Sequence, residues 1–152
     1  MTLRLDATAL NNSTRQDSLD LSLVVPIYNE YESLPKLIDA IMQVVKTLNC
    51  SSEVICVDDG SVDGSAELLK QLSSDNPDLS VLLLRRNYGQ TAAMAAGFDY
   101  ARGKIIITLD GDLQNDPADI PKLIDKLNEG YDLVSGWRQH RQDAQLTRLL
   151  PS

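Results

Sequence analysis

The chain is poor in the side chains that most often carry chemistry unaided. It has one histidine, His140, in 152 residues. A catalytic triad or a histidine-based metal site therefore has nothing to draw on. His140 stands between Arg138 and Arg141 in a polar stretch and is read as a solvated loop residue. Cysteine is scarce too. Cys50 and Cys56 lie six apart, which matches no zinc spacing. They are read as reduced structural thiols of a cytosolic protein. No apolar run approaches the roughly 20 residues needed to span a bilayer, and the first residues do not read as a signal peptide. Asn11-Asn12-Ser13 and Asn12-Ser13-Thr14 fit the glycosylation pattern but mean little without a secretory signal. Positive charge is in deficit: 14 Lys and Arg face 22 Asp and Glu, for a net charge of -8. General nucleic-acid binding needs a basic face and is excluded. A nucleotide site is not excluded, because one metal and a few arginines reverse the sign locally. Internal repeats and low-complexity segments are also absent.

What the chain does have is a regular alternation. Residues 1–20 are polar and aperiodic and are read as a flexible arm. Leu21 to Ile27 is a strand. Ser33 is expected to cap a helix whose stripe is Leu34, Leu37, Ile38, Ile41, Val44, Val45 and Leu48. Glu53 to Val57 is the second strand, and Ser65 to Ser73 the second helix. Leu79 to Leu84 is the third strand. An alanine-rich helix spans Gln90 to Arg102 and is expected to end at Gly103. Lys104 to Leu109 reads as a buried fourth strand. Pro117 and Pro121 mark the first turns of a helix that runs to Asn128 and closes at Gly130. Tyr131 to Ser135 is a short fifth strand. Strands alternating with helices imply an α/β domain with a mostly parallel sheet, helices on both faces and right-handed crossovers. That domain is placed at residues 21–137, followed by a polar tail at 138–152.

Each strand ends in a polar cluster. The first gives Pro26-Ile27-Tyr28-Asn29-Glu30, the second Asp58-Asp59-Gly60-Ser61 and then Asp63-Gly64. The third gives Arg85-Arg86-Asn87-Tyr88-Gly89-Gln90, the fourth Asp110-Gly111-Asp112-Leu113-Gln114, the fifth Gly136-Trp137-Arg138. Parallel strands point one way, so these clusters share the carboxyl edge, where open α/β sheets bind ligands. The segments entering the strands look unremarkable.

The pair Asp110 and Asp112 is the sharpest of these signals. Carboxylates that close repel, and a divalent cation removes the penalty. Oxygen-only ligation suits Mg2+ or Mn2+ shared with substrate phosphates. A calcium loop would need a glycine at the sixth place, where Asn115 stands. A phosphatase with an aspartate nucleophile would place its acids after the first strand, and a plain solvated loop would leave the doublet unpaired. Elsewhere both readings stand. Asp58 is able to accept from a base edge or ribose hydroxyl, whereas Asp63 is a turn or helix-cap residue. Tyr28 offers a flat face to a base. Asn29 and Glu30 are loop residues, or Glu30 accepts from a ribose. Arg85 and Arg86 suit phosphate or structural ion pairs. Gly89 permits close backbone approach beside the amide-rich start of a helix.

Val24-Val25-Pro26-Ile27-Tyr28-Asn29-Glu30, Val57-Asp58-Asp59-Gly60-Ser61-Val62-Asp63-Gly64, Arg86-Asn87-Tyr88-Gly89-Gln90 and Leu109-Asp110-Gly111-Asp112-Leu113-Gln114-Asn115-Asp116-Pro117 together resemble family 2 glycosyltransferases of the GT-A, Rossmann-like fold. The Asp112-to-Pro117 ending and Ser135-Gly136-Trp137-Arg138 resemble the branch that glycosylates polyisoprenyl phosphates, dolichol-phosphate mannosyltransferase-like and bacterial undecaprenyl-phosphate glucosyltransferase-like. The likeness covers about residues 21–141.

The resemblance implies that Pro26, Tyr28, Glu30 and Asp58 hold the nucleoside of a UDP- or GDP-sugar. Asp59, Asn87, Gly89, Asp110 and Gly111 complete the nucleotide-sugar site. Asp110, Asp112 and Gln114 bind Mg2+ or Mn2+, and through it the diphosphate. Asp112 and Arg138 are the catalytic positions, Arg138 meeting phosphate near the acceptor. The reaction implied is metal-dependent inverting transfer of a sugar to a polyisoprenyl phosphate on the cytoplasmic membrane face. Such relatives continue into amphipathic and membrane-spanning segments where this chain stops, at Pro151-Ser152. The expectation is a donor-binding part, soluble by itself, whose acceptor and membrane region is missing. A bare sheet edge or apolar helix face would favour homo-oligomers. Two rivals remain. A sugar nucleotidyltransferase would carry a glycine-rich arginine motif where Tyr28-Asn29-Glu30 stands, and a sugar-nucleotide sensor would bind without turnover.

Overall fold

The computed structural model describes residues 19–111 and 116–130. Asp112, Gln114, Arg138, His140, the fifth strand, the N-terminal arm to residue 18 and the polar tail lie outside the described residues. Two compact units are distinguished, residues 1–120 and 121–152. The first holds β1 (Leu19–Ile27), α1 (Leu34–Thr47), β2 (Ser52–Asp58), α2 (Ser65–Asp75), β3 (Leu79–Leu83), α3 (Gln90–Tyr100) and β4 (Gly103–Thr108). A 3-10 turn, Pro117–Asp119, leads into α4 (Ile120–Asn128). Asp116 opens that turn by accepting a hydrogen bond from the Ala118 N–H at 2.9 Å. Most of α4 belongs to the second unit, and Gly130, two residues past the end of the helix, takes a left-handed conformation (φ +104°).

The four strands are all parallel, in the order β3-β2-β1-β4. Moving from β1 to β3 the chain steps one way across the sheet, and for β4 it returns to the other side of β1. Right-handed crossovers then put α1 and α2 on one face and α3 on the other. The side chains follow. Leu21, Leu23, Val25 and Ile27 of β1 alternate with Val24, and all are buried, as a sheet covered on both faces requires. Val24, Ile55, Val57, Leu82, Leu84, Ala93 and Ala96 form the core under α3. Gly97 lets α3 lie that close, since a Cβ there would meet Val24 Cγ1 at 2.4 Å. On α1 the buried stripe is Leu34, Leu37, Ile38, Ile41, Met42 and Val45, with Met42 taking the place expected for Val44.

Three expectations are corrected. The apolar run of β4 is not wholly buried: Ile106 is 41% exposed. Among the described residues β4 has a neighbour on one side only, so its apolar composition marks a strand without marking its burial. Gly103 does not end α3. That helix stops at Tyr100, and Gly103 opens β4, where a Cβ would meet the Ser22 backbone nitrogen at 2.4 Å. Ser33 does not cap α1 with its side chain. Its hydroxyl donates instead to the Glu30 carboxylate at 2.8 Å.

The edge where the strands begin is also richer than its sequence suggests. Glu53, 3% exposed, accepts from the Ser22 hydroxyl at 2.7 Å, the Arg102 N–H at 2.7 Å, and the Arg102 guanidinium at 3.1 and 3.2 Å. The Ser22 hydroxyl in turn accepts from the Gly103 N–H at 2.8 Å. One buried carboxylate thus ties β1, β2 and the entry to β4 together.

Cys56 lies fully buried in β2, and burial pushes its thiol up to about 12. Burial, and then the charge of Asp20, raise Cys50 as well, but it is part-exposed. At pH 8 the native chain is expected to lose one thiol, Cys50, to Ellman's reagent and to keep Cys56 until it is denatured. Simultaneous loss of both thiols from folded protein would contradict this packing.

Candidate nucleotide site at the carboxyl edge

The polypeptide leaves β1 through Tyr28 and Asn29. Asn29 adopts φ +52°, a left-handed conformation that asparagine tolerates. This turns the segment toward the loop after β2, and the two are stitched residue by residue. The Asn29 N–H donates to the Ser61 hydroxyl, and the Val62 N–H to the Asn29 side-chain carbonyl, both at 2.9 Å. The Glu30 N–H donates to the Ser65 hydroxyl and the Tyr31 N–H to the Asp63 carboxylate, both at 3.0 Å. Asn29 is therefore a loop-forming residue. Asp63 works at the start of α2, where it accepts from the Ser65 N–H at 3.0 Å and the Ser65 hydroxyl at 2.6 Å. Burial opposes the charge on Asp63, yet the bonds from the Ser65 hydroxyl, the Tyr31 N–H and the Ser65 N–H outweigh it and hold its pKa below the usual carboxylate value.

Asp58 and Asp59 are neighbours with opposite duties, because successive strand side chains point to opposite faces. Asp58 is 2% exposed. One of its oxygens accepts from the Ser61 N–H at 3.0 Å; the other, Oδ1, is buried without a partner among the described residues. Asp59 is 3% exposed, and both its oxygens are engaged: Oδ1 by the Tyr88 N–H at 2.8 Å, Oδ2 by the Gly89 N–H at 2.9 Å. Gly60 follows with φ +72°, and a Cβ there would meet the Arg86 carbonyl carbon at 2.2 Å. Only glycine lets the two loops touch there. Among the described residues neither Arg85 nor Arg86 makes an ion pair. Arg86 instead lies over the Tyr88 ring, 4.8 Å from its centroid.

The remaining acid follows β4 by two residues. Asp110 accepts from the Gln90 side-chain amide at 3.1 Å. Gly111 is buried against β1, where a Cβ would meet the Pro26 carbonyl oxygen at 2.7 Å. The ends of β1 and β4 therefore run side by side. Here the strand order reverses, and at such a switch point a doubly wound sheet opens a crevice.

A cavity of about 350 Å³ occupies that crevice. Pro26, Ile27, Tyr28, Glu30, Asp59, Asn87, Gly89, Gln90, Asp110 and Gly111 line it. The nucleotide-sugar positions expected from sequence are thus gathered into one hollow, apart from Asp58, which is buried and does not line it. Ile27 and Gln90 stand in the strand-end clusters of the sequence, but no site role was expected of either of them. Among the described residues no three acidic, histidine or cysteine side chains converge as a metal cage. Asp110 supplies one carboxylate at the cavity, and hard oxygen donors of that kind fit Mg2+ or Mn2+. Asp112 and Gln114, the other ligands expected, lie outside the described residues.

A parallel α/β sheet with its cavity at the switch point has the Rossmann-like layout of the GT-A fold. The chain belongs to glycosyl transferase family 2, whose family model matches residues 22–152. Among solved structures it is similar to the mannosyltransferase PcManGT of Pyrobaculum calidifontis in complex with GDP-Man and Mn2+. The identity is 23% and the TM-score 0.60, over 74% of this chain and 33% of that one. It is similar as well to S. aureus TarS 1–349 in complex with UDP-GlcNAc, at 22% identity and TM-score 0.54, over 70% of this chain and 31% of that one. A third is GalNAc-T7 with UDP, GalNAc and Mn2+, at 24% identity and TM-score 0.52, over 63% and 18% of the two chains. The chain spans a third or less of the length of these structures.

Proposed function

We propose that this chain is the donor-binding part of a metal-dependent inverting glycosyltransferase that takes a sugar from a UDP- or GDP-sugar and delivers it to a polyisoprenyl phosphate. The observation that carries the reading is the cavity at the switch point, where Tyr28 and Glu30, Asn87 and Gly89, and Asp110 and Gly111 come from three different strand ends. Family membership, and neighbours solved with GDP-Man or UDP-GlcNAc, support the donor class. In this reading Tyr28 stacks on the base, Glu30 and Asp58 accept from the nucleoside, and Pro26 shapes the wall. Asn87 and Gly89 approach the diphosphate, with Gly89 (φ +101°) leaving open space where a side chain would stand.

Asp110, with Asp112 and Gln114, would hold Mg2+ or Mn2+, which when bound screens the negative charge growing on the departing diphosphate. Transfer forms a bond from an acceptor phosphate oxygen to the anomeric carbon. The bond from that carbon to the diphosphate breaks, and its electron pair leaves on the diphosphate. A phosphate acceptor is already anionic at neutral pH, so it needs placement and charge screening, the part assigned to Arg138, more than a general base. Among the described residues no helix is long and apolar enough to cross a membrane. The membrane-face setting belongs to the acceptor half of this proposal.

Calorimetry checks it. GDP or UDP is expected to bind at least tenfold more tightly with Mn2+ than in EDTA, and Asp110→Asn should erase most of that difference. Equal affinity under both conditions would remove the metal from the account.

A further inference from the structure

Asp110 is only as useful as its aim, and the residues that aim it are on the page. Its contact with Gln90 at 3.1 Å comes from the first residue of α3. The start of α3 is itself anchored: the backbone N–H groups of Tyr88 and Gly89, just ahead of Gln90, both donate to Asp59. Asp59 is 3% exposed and continues the parallel ladder, its N–H donating to the Ile27 carbonyl at 2.8 Å. A continuous brace therefore crosses the carboxyl edge, from the end of β2 through the start of α3 to the end of β4. Both oxygens of Asp59 already hold main-chain N–H groups, so this carboxylate has little left to offer a ligand although it lines the cavity.

We propose that Asp59 and Gln90 are positioning residues, Asp59 pinning the start of α3 and Gln90 thereby orienting the Asp110 carboxylate at the cavity. The proposal rests on the reading of Asp110 as a metal and diphosphate ligand. Groups that orient ligating carboxylates typically change metal affinity 10- to 100-fold when they are lost. Gln90 is exposed, so its removal leaves the core intact, and the metal dependence of the loss separates orientation of Asp110 from plain contact at the cavity wall.

The test is the Mn2+-dependent affinity for GDP and for UDP, measured by calorimetry on the 152-residue chain. Gln90→Ala is expected to lower affinity in Mn2+ about tenfold and to shrink the ratio of affinities in Mn2+ and in EDTA, with the melting temperature unchanged. Asp59→Asn keeps the shape but sets an amide against a main-chain N–H, and should bring a similar metal-dependent loss. The double variant should lose little more than either single one, because both act through one carboxylate. Parent-like affinity of Gln90→Ala in Mn2+, alongside a weakened Asp110→Asn, overturns the brace and leaves the metal reading standing. Parent-like binding by Asp110→Asn overturns the metal reading, and the brace with it. Additive losses take Asp59 out of the brace. Because Gln90 is exposed, the Gln90→Ala arm decides the matter even if Asp59→Asn fails to fold.

Discussion

Glu53→Ala is expected to destabilise the chain by about 3 kcal/mol in urea denaturation, among the largest effects of any single polar substitution. The reason is desolvation. Glu53 is 3% exposed and sits in β2, on the same side of the strand as the buried Ile55 and Val57. Its charge is tolerated there because four donors surround it. Truncation leaves the Arg102 N–H, and the Ser22 hydroxyl beneath Gly103, without their acceptor. Each buried donor left without a partner costs about 1–3 kcal/mol. Arg102 is 40% exposed at its side chain, so water recovers part of the guanidinium's loss, and the estimate stays at the low end of buried ion pairs. Arg102→Ala should therefore cost less than Glu53→Ala, since the Arg102 N–H and Ser22 still satisfy one carboxylate oxygen. A Glu53→Ala loss below about 1 kcal/mol would mean that the network contributes no net stability. Nucleotide binding by the folded variant should be unchanged, because the network lies at the edge opposite the cavity.

Asp58→Asn is expected to move stability and affinity in opposite directions. The buried Oδ1 has no partner among the described residues, while Oδ2 takes the Ser61 N–H. An asparagine keeps the second bond through its carbonyl and removes a charge buried with only one partner. Unfolding free energy should hold or rise. In the proposed site the spare oxygen accepts from a base or ribose donor, and the amide NH2 would face that donor instead. A lost hydrogen bond to a charged group and the added donor clash amount to about 2–3 kcal/mol, or about 30- to 150-fold in nucleotide affinity. Calorimetry beside denaturation reads both quantities on one variant. Unchanged affinity would leave Asp58 a purely structural residue of the turn to Ser61.

Much of this was legible in the sequence, for reasons that differ by element. β1 and β2 announce themselves as largely apolar runs because they are covered on both faces, and each is found within two residues of its expected ends. The same rule misjudged β4, where an equally apolar run leaves Ile106 exposed at the edge of the described sheet. Local composition reports a strand, whereas burial depends on neighbours far along the chain. Glu53 escaped notice for a related reason. A single acid at the start of a strand looks like a boundary, and its partner Arg102 is 49 positions away. The carboxyl-edge clusters were legible because parallel strands must all point one way. Which pair of strand ends opens the crevice was not, since strand order is not written in any local pattern. Asp58 and Asp59 read as a doublet, and strand alternation sends one to the Ser61 turn and the other to the start of α3. Gly60 stands out only as part of a strand-end cluster and Gly111 as a nucleotide-sugar position, yet each is required where two backbones nearly touch.

The central claim is that the crevice between the ends of β1 and β4 receives a nucleoside diphosphate. Backbone amide shifts of the 15N-labelled chain, titrated with GDP or UDP in the presence of Mg2+, test it most directly. The account expects the largest changes at Tyr28, Gly60, Gly89 and Gly111, and none at Glu53, Arg102 or Gly103. Changes centred on the Glu53 edge, or no saturable change at the carboxyl edge with either nucleotide, would contradict it.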